Sequence, residues 1–362
     1  MAKIPTDLMQ RLGIDLPIVQ APMVGASSAA MAVAAANAGA LGSFAVGTMT
    51  PDAIRDNIGA LRAQTVRPIN INMFVLDTPQ PNDRELQRAF ELLNPIHAEL
   101  GLPPAQPLAK YCENFRDQLD AVIALKPAIT SFTFNVLDAS SIERLHAAGS
   151  IVIGTATNVA EAQAWEANGA DVICAQGGEA GGHRGTFIGN LDDGLIGTMA
   201  LVPQIVDAVR LPVIAAGGIM DGRGIAASLA LGAQAAQLGT AFLNCREAVC
   251  HASWKALLRQ ARDTSTRTTR AFSGRFARGL ENDYMRRMAA FQYELPAYPV
   301  QNALTTDLRQ AAMKADRPEF LSLWAGQGAG MIKRRPAEIG TAELVAELAK
   351  ELREAAGIAL PG

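Results

Sequence analysis

The stretch Asp171-Val172-Ile173-Cys174-Ala175-Gln176-Gly177-Gly178-Glu179-Ala180-Gly181-Gly182-His183-Arg184-Gly185-Thr186-Phe187 joins a short apolar run to a loop holding five glycines. The apolar run has strand length and is too short for a helix. Glycine tolerates positive φ and lets a ligand come close to the backbone. The loop therefore reads as built to hold something, with His183 as its one titratable imidazole. A buried strand that ends in a ligand loop is one unit of an α/β fold, and the question is how many such units the chain has.

Seven more are legible on either side. Strand-type runs cover Pro17–Met23, Leu41–Val46, Pro68–Val75, Ala128–Phe134, Ile151–Thr155, Pro212–Ile219 (a strand and its turn) and Ala235–Phe242. Helical patterns lie between them. Ser27 or Ser28 is placed to cap an Ala-rich helix that stops at Gly39. Thr50 precedes Pro51 at a helix start, and Asn158 with Glu161 forms a capping-box pattern. Eight alternating units predict a (β/α)8 TIM barrel. An open doubly wound sheet fits less well, because the units continue to eight and the glycine-rich turns come late.

Two regions break the rhythm. Residues 77–109 are rich in proline and read as an insertion over one mouth of the barrel. After Phe242 the composition turns to Arg and Thr, with a weak helical phase over 255–290. The expected division is a barrel of residues 1–243 and 312–362, and a second, smaller α/β cap domain of 244–311 inserted after strand 8. A last helix over about Ala342 to Ala355 should pack back on the barrel.

Composition narrows the partners. The chain has 362 residues, 49% hydrophobic and 19% charged, with a formal charge of −3. No basic stripe marks a nucleic acid or an anionic membrane, and no apolar run reaches the ~18 residues of a spanning helix. Met1–Asp7 lacks a signal peptide's apolar region. Cys112, Cys174, Cys245 and Cys250 show neither CxxC nor zinc spacing, and so predict reduced thiols and no metal site. These features predict a cytoplasmic protein, monomer or homodimer.

In a barrel the loops after the strands form the active face. The unusual residues fall there: Ala21, Pro22 and Met23; Asn72; Gln176, Gly181, Gly182 and His183; Gly217 and Gly218; Gln237, Leu238, Gly239 and Thr240. Turns after the last two strands commonly hold phosphate on backbone N–H groups. GxxxxGK[ST] is missing, as is GxGxxG after the first strand, which argues against a nucleoside triphosphate and a Rossmann dinucleotide. Asn72 and Gln176 offer amides that suit the pyrimidine edge of a flavin, with Ala21-Pro22-Met23 as an apolar wall. Glu179 reads as a loop anchor. Arg184 is open to two readings, neutralising an anion or pairing with Glu179. His97, His146 and His251 lack His183's setting.

Gln20-Ala-Pro-Met23, Gln176–Gly185, Ala215-Ala-Gly-Gly-Ile219 and Gln237-Leu-Gly-Thr240 together resemble the nitronate monooxygenases, formerly called 2-nitropropane dioxygenases, from about residue 4 to the final helix. Tyr298-Pro-Val-Gln-Asn302 and Trp324–Ala329 resemble class I of that family. The resemblance implies a barrel with a smaller α/β domain, non-covalent FMN, and O2 as oxidant. It implies oxidation of alkyl nitronates such as propionate 3-nitronate to a carbonyl compound and nitrite through a flavin semiquinone, a nitroalkane-detoxifying activity. It maps flavin contacts onto Asn72, Gln176, Gly181, Gly218 and Gln237–Thr240, and the catalytic histidine onto His183. That histidine would be a general base with a pKa near working pH. Tyr111 and Tyr298 carry over as substrate-pocket residues. Flavin-dependent enoyl-ACP reductases share Glu-Ala-Gly-Gly-His. An FMN-dependent NAD(P)H:quinone or enoyl-ACP reductase is therefore the alternative, followed by a flavin-free phosphate barrel and a non-catalytic flavin sensor.

Overall fold

The computed structural model describes residues 7–357; the reading of the first residues falls almost wholly on 1–6, outside that range. Eleven strands are formed among the described residues: β1 Ile18–Gln20, β2 Gly42–Ala45, β3 Ile69–Phe74, β4 Ile129–Thr133, β5 Ile151–Ala156, β6 Val172–Gln176, β7 Gly182–His183, β8 Val213–Ala216, β9 Ala235–Leu238, β10 Thr266–Thr269 and β11 Ala277–Leu280. Eight of them make one parallel sheet in the order β1-β9-β8-β6-β5-β4-β3-β2. A parallel bridge between Val19 and Leu41 joins its two ends, so the sheet closes into a (β/α)8 barrel.

Closure is finished by a side chain. Leu41 N donates to Ile18 O and Gln20 N donates to Leu41 O, both at 2.9 Å. Past that point β1 and β2 diverge, and the wholly buried Gln20 spans the gap: Ser43 N donates to its Oε1 at 2.9 Å. An amide here replaces a ladder bond that the strands cannot reach to make.

Strand side chains alternate between two layers. Val19, Leu41, Ile129, Ile153, Val172, Cys174 and Ile214 pack inward with Leu8, Met9 and Leu12 of the helix Asp7–Leu12, which plugs the barrel. Ile18, Phe44, Ile71, Phe132, Ile173 and Val213 face the surrounding helices. The predicted caps are formed: Ser28, Thr50 and Asn158 each accept a backbone N–H of the first turn. Glu161 does not complete a capping box at Asn158. Its carboxylate accepts from Thr157 N and Oγ1, and from Phe187 N and Ile188 N. The final helix, Thr341–Ala356, packs on the helices Gly222–Ala230 and Ala29–Asn37. A Cβ at Gly222 would sit 2.3 Å from Glu351 C, so only glycine admits that approach.

The run Pro212–Ile219 is a strand to Ala216 and then the expected turn, at Gly217 and Gly218 with φ +116° and +71°. Two sequence expectations change. The run Ala235–Phe242 stops at Leu238 and winds into a 3-10 turn, Thr240–Asn244. The proline-rich insertion contains a seventeen-residue helix, Asp83–Glu99, begun by an Asn82/Glu85 capping box and burying Leu86, Ala89, Leu93 and Ile96. Ion pairs Arg88–Glu294 and Glu99–Arg287 tie it to the later part of the chain.

The weak helical phase over 255–290 has a simple cause. After the helix Ala252–Gln260 the chain forms the hairpin β10–β11, in register from Thr266 opposite Leu280 to Thr269 opposite Ala277. The other edge of β11 pairs antiparallel with β7, Ala277 opposite His183 and Arg278 opposite Gly182. The glycine loop after β6 is thereby a strand of a second, three-stranded sheet.

Candidate active site

β6 delivers the glycine loop to the barrel mouth, and several buried polar groups then fix its path. Glu179 accepts from Thr198 N at 2.9 Å and Thr198 Oγ1 at 2.8 Å, at the start of the helix Thr198–Ala208. An anion at a helix N-terminus meets unpaired N–H groups and the positive end of the dipole, so Glu179 anchors the loop. Arg184 is buried, and its guanidinium donates to Gly177 O (2.8 Å), Gln176 O (2.7 Å) and Gly194 O (2.8 Å). It ties loop carbonyls together and has no ion pair with Glu179. Gln176 spans β7: Nε2 donates to His183 O at 3.0 Å, and Oε1 accepts Gly185 N at 2.8 Å. One amide hydrogen and one lone pair of Gln176 remain for a ligand.

His183 stands in an aromatic enclosure. The rings of Phe134, Tyr298 and Trp324 lie 5.6, 5.6 and 5.4 Å from its own, and its Nε2 is 2.9 Å from Ser273 Oγ. Phe134 follows β4 at φ +85°, a strained value for a bulky residue. Its ring stacks on Phe74 at 4.4 Å and carries the Arg275 guanidinium 4.2 Å above its centroid. Burial first, then the charges of Arg275 and Arg309, bring the His183 pKa down to about 3. The imidazole is neutral at neutral pH, not poised near it as expected.

Those arginines are the part of the site that sequence reading missed. Arg275 Nε donates to Arg184 O at 2.9 Å, and Arg309 Nη2 donates to Asn302 O at 2.8 Å. Arg278 Nε donates to Gly178 O at 3.2 Å. Burial lowers the pKa of all three, to about 10 for Arg275. Among the described residues their hydrogen bonds run to carbonyls and hydroxyls, and none forms an ion pair with a carboxylate. The result is a neutral histidine among guanidinium groups that have no direct ion pair, with Glu161 and Glu179 acting on Arg275 and Arg278 only through space. Spacing gives no signal for it, since 275 and 278 reach 183 through the second sheet and 309 through the helix Thr306–Lys314.

The remaining predicted residues divide into groups. Ala21 N donates to Leu238 O at 2.9 Å, and a Cβ on Gly239 would lie 3.5 Å from both Ala21 Cβ and Met23 Sδ. Ala21-Pro22-Met23 therefore adjoins the turn after β9. Leu238 packs its side chain among the outer helices and has only its backbone to offer the mouth. Asn72 is buried inside the barrel, with Nδ2 donating to Ser131 Oγ at 3.0 Å and no donor to its Oδ1 among the described residues. Gly181 and Gly326 touch so closely that a Cβ on Gly181 would be 2.4 Å from Gly326 N. Gly326 N in turn donates to Thr240 Oγ1 at 2.9 Å. A Cβ on Gly328 would lie 3.2 Å from Gly218 O. The segment Trp324–Gly330 thus brings Gly181, Gly218 and Thr240 together. Gly182 supplies left-handed backbone at φ +72°. Gln237 lies one residue before the end of its strand, opposite Val19, and is partly exposed.

Of the two tyrosines, Tyr298 meets His183, whereas Tyr111 accepts Leu108 N at 3.4 Å and makes no ring contact with that group. The other histidines are engaged elsewhere: His97 with Pro103 O, His146 with Asp171, His251 with Ser253. The four cysteines are free thiols, and burial pushes Cys174, Cys245 and Cys250 up to about 12. No group of three or more metal-ligating side chains gathers among the described residues, and none of the described helices is long and apolar enough to cross a membrane.

Comparison with known proteins gives a consistent set. A family model described as nitronate monooxygenase matches residues 6–351. A probable nitronate monooxygenase of Staphylococcus aureus strain JH9 is 38% identical over 333 residues, covering 91% of this chain and 93% of the relative. Among solved structures, nitroalkane oxidase from Streptomyces ansochromogenes aligns with TM-score 0.88 and 40% identity over 97% of this chain and 99% of its own. FabK from Thermotoga maritima aligns with TM-score 0.74 and 30% identity over 97% and 96%.

Proposed function

The chain belongs to the nitronate monooxygenase family and is an oxidoreductase of that class, and from that premise we propose that it uses FMN and O2 to oxidise alkyl nitronates, such as propionate 3-nitronate, to a carbonyl compound and nitrite. The observation that carries this reading is the neutral His183 set among unpaired guanidinium groups. A nitronate is an anion, and Arg275 and Arg309 provide the complementary charge in a partly desolvated, aromatic-walled site where Coulombic attraction is strong.

The residues present suit FMN. Two successive left-handed glycines, Gly217 and Gly218, leave backbone N–H groups unshielded by side chains. With Gly181, Gly239 and Thr240 they would hold the phosphate. Asn72, whose Nδ2 is taken up by Ser131, has its Oδ1 left to accept from the N–H edge of the flavin's pyrimidine ring. Gln176 would add its free amide hydrogen, and Ala21-Pro22-Met23 an apolar wall. Bound FMN would supply the one-electron oxidation of the nitronate and the reaction with O2. Tyr298, Trp324 and Phe134 exclude water and orient the substrate. His183 lines the site as a neutral ring with its one N–H turned to Ser273, so the charge that holds the nitronate comes from Arg275 and Arg309. A neutral nitroalkane must also lose its α-proton, and an imidazole at about 3 takes that proton against a gradient of ~1.4 kcal/mol per pKa unit. Preformed nitronates are therefore the favoured substrates.

An absorbance spectrum of the pure protein, followed by anaerobic addition of propionate 3-nitronate, tests the reading. A yellow protein that turns to the red one-electron-reduced flavin is expected. Rapid bleaching by NADH or NADPH, with no response to nitronate, would transfer the protein to the reductase alternative that the FabK likeness represents. His183→Asn should keep FMN bound, lose most activity on neutral nitroethane, and lose less on nitronates.

A further inference from the structure

We propose that Ser273 is the positioning residue of His183: its hydroxyl holds the imidazole in the Nε2–H tautomer and leaves Nδ1 as the ring atom that faces proton exchange. The proposal rests on the reading that His183 is the group at the reacting centre.

The argument is one of counting hydrogens. Ser273 is buried, and its Oγ lies within hydrogen-bond distance of three groups: Arg275 O at 2.9 Å, Arg275 N at 3.3 Å and His183 Nε2 at 2.9 Å. Arg275 N can only donate and Arg275 O can only accept. Among the described residues Arg275 O has no other donor, so the single hydroxyl hydrogen is assigned to it, and both lone pairs of Oγ are left for donors. His183 Nε2 must be one of them and carries the hydrogen. A neutral imidazole has one N–H, so Nδ1 keeps its lone pair, and no group among the described residues donates to it.

Neutrality follows from what surrounds the ring. Arg275 on the hairpin turn and Arg309 on the helix Thr306–Lys314 both oppose a positive imidazole. Tyr298 is the other titratable group against it, and burial raises the Tyr298 pKa so that its hydroxyl is uncharged. Among the described residues no carboxylate bonds to His183. A hydroxyl partner sets the tautomer without adding the basicity that a carboxylate would give.

The backbone holds the pair in place. Ala277 lies opposite His183 across β11 and β7, and Arg184 N donates to Phe276 O at 2.8 Å. The turn that carries Ser273 has Gly274 at φ +81°, where a Cβ would sit 2.2 Å from Pro296 O. When a neutral nitroalkane reacts, its α-C–H bond breaks, that electron pair forms the C=N bond of the nitronate as the N=O π pair moves onto oxygen, and the proton goes to Nδ1. Nε2–H stays on Ser273 throughout.

Long-range 1H–15N NMR of the FMN-loaded protein at neutral pH reads the tautomer with no turnover. Nε2 should show the shift of a protonated ring nitrogen and Nδ1 that of a bare one; the reverse pattern overturns the proposal. Ser273→Ala should mix the tautomers and lower turnover of neutral nitroethane on the order of 10–100-fold, with a smaller effect on propionate 3-nitronate. Ser273→Thr keeps the hydroxyl and should restore both the NMR pattern and the rate. A Ser273→Ala protein with the parental tautomer and parental pH–rate profile would also overturn it. A parental tautomer as proposed, in a protein inert to nitronates, would leave the positioning intact and fail the functional reading instead.

Discussion

His183 shows how a residue's chemistry is set by its neighbours. A histidine in an unfolded chain titrates near 6.5, while in the folded protein burial and two arginines hold it near 3. As pH falls below about 6.5 the unfolded chain takes up a proton that the native state refuses until about 3. The native state therefore loses stability across that window, by up to ~1.4 kcal/mol per pH unit. His183→Asn removes the site, so its urea-melt stability should fall less steeply between pH 6.5 and 4 than the parent's. Parallel slopes would show that the imidazole is not held neutral. The sequence marked His183 through its flanking glycines. It could not give the pKa, because Arg275 and Arg309 are distant in the chain.

At the scale of the element, the glycine loop depends on a helix it does not belong to. Glu179 satisfies the first turn of Thr198–Ala208, and its neighbours Gly181 and Gly218 belong to the predicted phosphate cradle. Glu179→Gln keeps the volume and removes the charge at the helix N-terminus. It should cost ~1–2 kcal/mol and weaken FMN retention together with thermal stability. An unchanged melting temperature with unchanged FMN affinity would show that the loop is held by other contacts. The predicted helix starts at Ser28, Thr50 and Asn158 were legible because a cap and its first turn lie within four residues. The helix Asp83–Glu99 was obscured by prolines on both sides and by Pro95 within, although Asn82 and Glu85 carried its start signal. The hairpin β10–β11 was hidden for another reason. Its strands are four residues each, too short for alternation to register, and one of their partners is β7, more than 80 residues away.

Across the whole molecule, closure of the barrel rests on few groups at the β1–β2 seam. Gln20 is buried there and gives Ser43 N its acceptor. Gln20→Leu should destabilise the fold by ~1–3 kcal/mol, the cost of a buried donor left unpaired, visible as a lower denaturation midpoint with unchanged m-value. A neutral result would mean that the strands pair directly at Ser43.

The sequence by itself determined the βα rhythm, the count of eight, the glycine turns at strand ends and the lone histidine among them. Those features are local: a strand run, a cap or a turn is decided by residues within a few positions of one another. Only the tertiary structure decided that the histidine loop becomes a strand of a second sheet, that Ser273 meets its ring, and that unpaired arginines surround it. Contacts between residues about 90 positions apart depend on strand register and on the path of the chain around the barrel. Charge balance at a buried site depends on which carboxylates are absent there, which no composition or spacing records.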